Sequence, residues 1–178
     1  MRVIGGSAKG TRLARPPGGT RPVADRVREG LFSSLGETIQ GARCLDLYAG
    51  TGAVGIEALS RGAASCTFVD ATPAAVRVIR DNLARTHLEG RVVRADAGRF
   101  LARPSGPYDL AFVDPPYGEP ANRLKAVLAQ LPDRLAPDAR FVLTRPGKGS
   151  TDVVPVHFLV ERRLSYGDSL VVICRRDR

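Results

Sequence analysis

The chain has 178 residues and a formal net charge of +9, from 27 basic and 18 acidic side chains. This length suits one domain, and no apolar run approaches the roughly 18 residues that a membrane-spanning helix needs. No cationic start precedes an apolar stretch, so we expect no secretory signal and a cytoplasmic protein. The three cysteines and two histidines lack metal-ligand spacing, which predicts buried thiols and no metal site.

The positive charge is concentrated at the two ends of the chain. Residues 1–28 carry a net charge of +6 and residues 140–178 carry +4, whereas residues 29–139 are nearly neutral at −1. Arginine supplies 24 of the 27 basic residues, and its planar guanidinium can bind phosphate through two hydrogen bonds. This placement indicates contact with a polyanion.

We expect a single domain that covers residues 1–178, in which residues 1–40 form an N-terminal extension. Short apolar runs separated by glycines predict a β-hairpin over 1–16, and Pro-Pro-Gly-Gly at 16–19 predicts a break. Apolar residues four positions apart predict a helix over 23–39, with Arg26 and Arg28 off the apolar stripe. The stripe consists of Val23, Val27, Leu31, Leu35 and Ile39.

Strands and helices alternate through the rest of the chain. Buried-type strands are predicted at 44–48, 66–70, 91–96, 108–114 and 140–144, and helices at 53–61, 73–88, 97–103 and 121–135. Two further strands, 157–166 and 169–176, are joined only by Gly167-Asp168, so they must form an antiparallel hairpin. The pattern predicts an α/β fold with a mostly parallel seven-stranded sheet and helices on both faces.

A glycine-rich turn follows the first of these strands, in the stretch Asp46-Leu-Tyr-Ala-Gly-Thr-Gly-Ala-Val-Gly55. Its glycines allow a ligand to approach the backbone, and the next helix presents unpaired N–H groups at its N-terminus. Gly50-x-Gly52-x-x-Gly55 also satisfies the dinucleotide fingerprint, so a nicotinamide or flavin oxidoreductase remains a rival interpretation. Asp46 opposes that rival, since a carboxylate matches the ammonium of a methionine moiety better than a pyrophosphate.

Aspartates end four of the predicted parallel strands. Asp70 is placed to accept hydrogen bonds from ribose hydroxyls, and Asp96, followed by Ala97, suits an adenine. Ligands in such sheets bind at the carboxyl ends of the strands, where Asp46 and Asp114 are also predicted. The alternative is that these aspartates only cap the following helices.

The last of these aspartates opens the motif Asp114-Pro115-Pro116-Tyr117. Two prolines stiffen the turn, and the carbonyl before a proline can accept a hydrogen bond. The motif would thus present a carboxylate, a carbonyl and an aromatic ring at one place. An exocyclic amino group needs two acceptors to turn its lone pair toward a methyl donor, and Tyr117 can stack on the base.

Together these motifs resemble the class I amino-methyltransferases with a Rossmann-like fold. More narrowly, the chain resembles the RsmD family, the bacterial guanine-N2 methyltransferases that act on guanine 966 of 16S ribosomal RNA. The resemblance covers nearly the whole chain and rests on four further stretches: the opening Arg2-Val-Ile-Gly-Gly-Ser-Ala-Lys-Gly, 21–29, 59–63 and 166–168. The chain departs from the family pattern after the fifth strand, where Thr144-Arg145 stands in place of a glutamate, and we assign this position no role.

The resemblance implies a site and a set of partners. S-adenosylmethionine would be the cofactor, and the substrate would be ribosomal RNA within the assembled small subunit or a late intermediate, modified by a monomer. Asp114, Pro115 and Tyr117 would hold the target base. The cofactor would contact Asp46, Tyr48, Gly50, Thr51, Gly52, Asp70, Asp96 and Ala97. The RNA would contact Arg2, Lys9, Arg12, Arg21, Arg26 and Arg28.

Two other functions remain open. Asp-Pro-Pro-Tyr also serves adenine-N6 methyltransferases that act on DNA or RNA, so the motif alone does not choose the base. The chain could also be a catalytically silent RNA-binding assembly factor, although Asp114 and Tyr117 argue against it.

Overall fold

The computed structural model describes residues 1–15, 25–147 and 151–177. Its strands are β1 (Arg43–Leu47), β2 (Ser65–Asp70), β3 (Arg91–Arg94), β4 (Tyr108–Val113), β5 (Leu135–Pro146), β6 (Phe158–Tyr166) and β7 (Ser169–Arg176). Its helices are α1 (Asp25–Leu35), α2 (Ala53–Ser60), α3 (Pro73–Thr86), α4 (Ala97–Leu101) and α5 (Ala121–Leu128). The alternation predicted from the sequence is confirmed.

All seven strands form one sheet in the order β3-β2-β1-β4-β5-β7-β6. Strands β1 to β5 pair in parallel, whereas β7 is antiparallel to both β5 and β6. The predicted C-terminal hairpin is therefore confirmed, and its tip lies beside the carboxyl end of β5, where the Gly147 N–H donates to the Asp168 carbonyl (2.7 Å). The carboxyl ends of β1 to β5 meet at one edge, which we call the carboxyl edge.

Helices cover both faces of the sheet, because β1, β4 and β5 are apolar on both sides. On one face α1, α2 and α3 pack on side chains such as Phe68, Phe112 and Val142. On the other face α4 and α5 pack on side chains such as Leu47, Val113 and Phe141. The three cysteines are buried thiols within these layers.

Residues 1–15 form what we call the N-terminal arm. Its two halves meet at a single antiparallel bridge between Arg2 and Arg12, supported by the Gly10 N–H to Val3 carbonyl bond of 2.9 Å. Val3 and Leu13 are buried on the α1–α3 face. The predicted hairpin is thus present as a tight loop with one bridge, while the predicted break at 16–19 and Val23 lie outside the described residues.

Two predicted helices end at least a full turn earlier than their apolar patterns indicate, and the others end within about two residues of the prediction. The helix predicted over 23–39 ends at Leu35, because Gly36 takes a φ of +52° and a 3-10 helix (Gly36–Ile39) follows. The helix predicted over 121–135 ends at Leu128, ahead of a 3-10 helix (Leu131–Arg134) that contains Pro132. No helix in the described part of the chain is long and apolar enough to cross a membrane.

Candidate active site

The glycine-rich turn between β1 and α2 is a loop with three residues in the left-handed region. Tyr48, Gly50 and Gly52 have φ values of 59°, 58° and 74°. At Gly52 a Cβ would lie 3.3 Å from Ile79, so the conformation and the tight packing both favour glycine. We call residues 48–52 the cofactor loop, because four of them are predicted to contact the cofactor. The loop leads into the N-terminus of α2 at the carboxyl edge.

Asp46 lies behind this loop with only 2% of its surface exposed. Its Oδ2 accepts a hydrogen bond from the Gly55 N–H in the first turn of α2 (3.0 Å). Burial raises the pKa of Asp46 well above its usual value, and the carboxylates of Asp114 and Asp70 raise it further. No cationic side chain in the described residues forms an ion pair with Asp46, so an ammonium group of a ligand would complete its environment.

Asp70 fastens the cofactor loop to the end of β2. Its Oδ2 accepts from the Gly50 N–H (2.9 Å), and its Oδ1 accepts from the N–H and the hydroxyl of Thr72 (both 2.9 Å). A carboxylate offers about four lone pairs, so these bonds leave capacity for ribose hydroxyls. Asp70 therefore has a structural role, and its contact with ribose hydroxyls stays a prediction.

Asp96 follows β3 at the carboxyl edge, and two groups hold its carboxylate in place. It caps α4 by accepting from the Arg99 N–H (3.1 Å), and it forms an ion pair with Arg123. Partial burial opposes ionisation, but these hydrogen bonds prevail and the pKa of Asp96 lies below its usual value.

Arg123 also binds Glu119 (3.1 Å), and Glu119 accepts a long hydrogen bond from the Tyr48 hydroxyl (3.5 Å). Ala97, at the start of α4, is buried.

Asp114 follows β4 directly and lies among apolar side chains. Together with Thr144 it lines a narrow pocket whose other seven lining residues are apolar and come from α1, α2, β4, β5 and β7. Burial raises the pKa of Asp114 to about 7, although a hydrogen bond from the Thr144 side chain opposes the increase. Thr144, to which we assigned no role from the sequence, thus contacts the carboxyl group of Asp114.

The rest of the motif combines a fixed turn with an exposed ring. Pro115 is buried, and the Glu119 N–H closes the turn by donating to the Pro116 carbonyl (2.9 Å). The Tyr117 side chain, by contrast, is 66% exposed. A flat ring held by a stiff turn and open to solvent can stack on a base without displacing core residues.

These groups fit S-adenosylmethionine. The buried Asp46 carboxylate matches its ammonium group, the end of β2 offers Asp70 to a ribose diol, and Asp96 with Ala97 lies one strand further along. A pyrophosphate would meet three carboxylates at this edge, which argues against a dinucleotide. The arrangement can therefore present a sulfonium methyl group toward Asp114 and Tyr117.

Five of the six predicted RNA-contacting residues lie in the described part of the chain. Arg2, Lys9, Arg12 and Arg26 are exposed, and Arg21 lies outside the described residues. The prediction for Arg28 is wrong because its side chain is fully buried. Its guanidinium donates to the Arg2 carbonyl and to Asp25 (both 2.7 Å), and it lies 3.7 Å from Glu57.

Glu57 and Asn82 are buried polar residues that the sequence reading missed. Glu57 accepts hydrogen bonds from the N–H groups of Ile4 and Gly5 (both 2.8 Å), and so holds the N-terminal arm on α2. Asn82 bonds to Thr51 and Ala14. The available signal was a polar residue at a buried helical position: Asn82 follows Ile79 by three and precedes Thr86 by four.

A seven-stranded sheet of this order, with a glycine-rich loop after β1 and Asp-Pro-Pro-Tyr after β4, defines a class I methyltransferase. The chain belongs to the family described as conserved hypothetical protein 95, whose model matches residues 1–175. This confirms the resemblance to the RsmD family, and membership together with the fold confirms S-adenosylmethionine as the cofactor.

Individual relatives agree with this assignment. The chain is 35% identical to the ribosomal RNA small subunit methyltransferase D of Escherichia coli K12, over 99% of this chain and 90% of the relative. A solved Escherichia coli structure, described as a candidate methyltransferase, is 36% identical with a TM-score of 0.87, covering 99% of this chain and 98% of that one. A hypothetical protein of Thermus thermophilus is 31% identical with a TM-score of 0.82, covering 97% of this chain and 98% of that one.

Proposed function

We propose that this methyltransferase transfers a methyl group from S-adenosylmethionine to the exocyclic N2 amino group of a guanine in small-subunit ribosomal RNA. The observation that carries the proposal is the position of Asp114 and Tyr117 at the same sheet edge as the cofactor loop. The Asp114 N–H lies 3.5 Å from the carbonyl of Leu47, the last residue before that loop. A base stacked on Tyr117 would therefore present its amino group close to the methyl donor.

The roles of the base-binding residues follow from the chemistry of an aromatic amine. Its lone pair is delocalised, so the nitrogen must be turned toward tetrahedral geometry before it can attack. The Asp114 carboxylate and a backbone carbonyl of the motif would each accept one N–H, and Tyr117 would fix the plane of the base.

Charge balance requires the amino group to lose one proton. When bound, the cofactor would supply an electrophilic methyl group on a sulfonium, with a neutral thioether as its leaving group. The proton leaves the nitrogen for Asp114 or for solvent. An ionised Asp114 suits both tasks, because it accepts hydrogen bonds through both oxygens and can take up the proton.

The substrate class is supported by charge and by relatives. Arg2 and Arg12 lie side by side on the arm, and both are exposed, as is Arg26 on α1. Such residues suit phosphate contacts. The matching relative from Escherichia coli is named for the small-subunit ribosomal RNA, and the chain carries no separate RNA-binding module in its described residues, which favours a preformed ribosomal surface as the docking partner.

Two alternatives are kept because the motif admits them. An adenine-N6 methyltransferase would use the same four residues on a different base. A silent assembly factor would bind the subunit without transferring a methyl group.

One transfer experiment separates these functions. Tritiated S-adenosylmethionine is offered with small ribosomal subunits lacking the modification, with naked 16S RNA and with duplex DNA, and the methylated nucleoside is identified after digestion. We expect N2-methylguanosine from the subunits. N6-methyladenosine or its deoxy form would establish the first alternative, and subunit binding without transfer would establish the second.

The RNA-contacting role of the arm has its own control. Replacing Arg2 and Arg12 together by alanine should weaken subunit binding and reduce its salt dependence by about two counterions. Arg28→Met should instead lower thermal stability, because it removes the cation paired with Asp25 and the buried donor to the Arg2 carbonyl, and leaves the buried Glu57 with Arg61 alone. A loss of binding that does not depend on salt would exclude phosphate contacts for Arg2 and Arg12.

A further inference from the structure

Asn82 is a fully buried amide on α3 that bonds to two separate parts of the site. Its Nδ2 donates to the Thr51 carbonyl in the cofactor loop (2.9 Å). The same nitrogen donates to the Ala14 carbonyl in the N-terminal arm (3.2 Å), and its Oδ1 accepts from the Ala14 N–H (2.7 Å). One side chain therefore contacts both the cofactor loop and the arm.

The chemistry of these contacts requires an amide. Two carbonyls need donors and one N–H needs an acceptor, and a primary amide supplies both at one position. The Asn82 side chain is enclosed and its bond to Thr51 is buried, so the Thr51 carbonyl would lose its donor without compensation from water if the amide were removed. This makes the position of Ala14 depend on the position of Thr51.

A second connection joins the same two parts. Arg28 donates to the Arg2 carbonyl in the arm and to the Ala53 carbonyl directly after the cofactor loop (3.4 Å). The arm is thus tied to the cofactor loop near both of its ends. In both connections the arm is held through main-chain atoms, so its arginine side chains remain exposed.

We propose that Asn82 is a positioning residue that couples cofactor binding to RNA binding; the proposal rests on the proposed function. A cofactor that contacts residues 48–52 fixes the Thr51 carbonyl, which fixes the Asn82 amide and so the segment around Ala14. The cost of ordering this connection falls on whichever ligand binds first, and the second ligand then binds more tightly. By linkage, the effect of the cofactor on RNA affinity equals the effect of RNA on cofactor affinity.

The test measures this coupling directly. Dissociation constants of tritiated S-adenosylhomocysteine are determined by equilibrium dialysis, alone and with saturating unmodified small subunits. Wild-type protein should bind it about tenfold more tightly in the presence of subunits. In Asn82→Leu and in Asn82→Asp at pH 8, which both lack the donors, the ratio should fall at least about threefold, because only the Arg28 connection remains.

Thr86→Val is the matched control. Thr86 is buried one turn further along α3, and its hydroxyl donates only to carbonyls of the same helix (2.8 and 3.0 Å). This variant should lose stability while keeping the wild-type affinity ratio. A purely structural role of Asn82 would give the Asn82 variants the same pattern as this control: a lower melting temperature with an unchanged ratio.

A measurement on the wild-type protein keeps the proposal testable should both Asn82 variants fail to fold. Amide hydrogen exchange at Ala14 should slow by about tenfold when S-adenosylhomocysteine binds in the absence of RNA. Unchanged exchange at Ala14, or a wild-type affinity ratio of one, would overturn the coupling. Failure of the wild-type protein to bind either ligand would instead overturn the proposed function.

Discussion

Two groups of carboxylates in the same sheet differ in their pairing and in their pKa values. At the carboxyl edge, Asp46 and Asp114 have raised pKa values, chiefly because burial disfavours their charged forms, and neither pairs with a cation in the described residues. Toward the amino ends of the strands, Asp109 forms a bidentate pair with Arg43 (2.9 Å for each bond), and this pair lowers its pKa. Partial burial opposes ionisation of Glu161, yet its hydrogen bonds from Arg140 and Arg175 (2.7 and 2.9 Å) lower its pKa too.

The difference separates structural from functional acids. An exposed, paired carboxylate costs little to keep and joins neighbouring strands. A buried carboxylate without a cation destabilises the fold, and its retention indicates a ligand or a reaction that needs it. A buried carboxylate without a cation therefore carries different information from a paired one.

The largest expected effect comes from removing the acid of the motif. Asp114→Ala should lower methyl transfer at least about a thousandfold, since it removes one acceptor from the amino group and a site for the proton. Binding of S-adenosylhomocysteine, measured by calorimetry, should change less than about threefold. Asp109→Asn, at the opposite edge, should leave both quantities unchanged; substantial transfer by Asp114→Ala would exclude the proposed role.

Neutralising the other unpaired acid should affect the cofactor. Asp46→Asn keeps an oxygen for the Gly55 N–H but removes the charge that matches the ammonium group. We expect cofactor affinity to fall about tenfold to a hundredfold, the loss typical of one charge-assisted hydrogen bond. Glu161→Gln is the control, and equal affinity of the Asp46 and Glu161 variants would contradict the role of Asp46.

The pH dependence of the reaction should be moderately sensitive to Thr144. Asp114 is ionised above its pKa of about 7, so transfer at low substrate should fall as pH decreases through 7. Thr144→Val removes a hydrogen bond that favours the ionised form, so the midpoint should move to higher pH. The two pH profiles should differ several-fold near pH 7 and converge near pH 9; coincident profiles would remove Thr144 from the site.

The smallest effect should come from the paired acid. Asp109→Asn breaks an exposed pair with Arg43 and should change the melting temperature at pH 7 by no more than about 2 °C. Because the pair lowers the Asp109 pKa, its contribution is present above pH 4 and is lost as pH falls below it. A large change at pH 7 would show that the Arg43–Asp109 pair is not merely structural.

Hydrophobic spacing was sufficient to predict the order of strands and helices. The chain alternates short apolar runs with amphipathic segments, and only a parallel sheet covered on both faces accommodates that pattern. It was insufficient at Pro132 and Gly36, where local backbone constraints end a helix that the spacing would continue.

The burial of particular polar residues could not be predicted from the sequence. Arg28 lies next to the stripe that contains Val27, yet it shares helical spacing with Phe32 and Leu35, which are buried too. A charge on this face is stable only because Glu57 and Asp25 lie opposite it, and those contacts span up to 29 positions of the chain. Aspartates at the strand ends were predicted because their positions depend on the strands alone, whereas Thr144 needed the neighbouring strand to bring it to Asp114.

The attachment of the N-terminal arm through main-chain atoms has a consequence for how this protein can change. Glu57, Asn82 and Arg28 hold the arm by its amide and carbonyl groups at positions such as Ile4, Arg2 and Ala14. Side chains on the outward surface of the arm can therefore be exchanged without altering the anchorage. We expect the folded structure to tolerate substitutions at Arg2 and Arg12 but not at the three anchoring residues, so the surface proposed to contact RNA could change without loss of the fold.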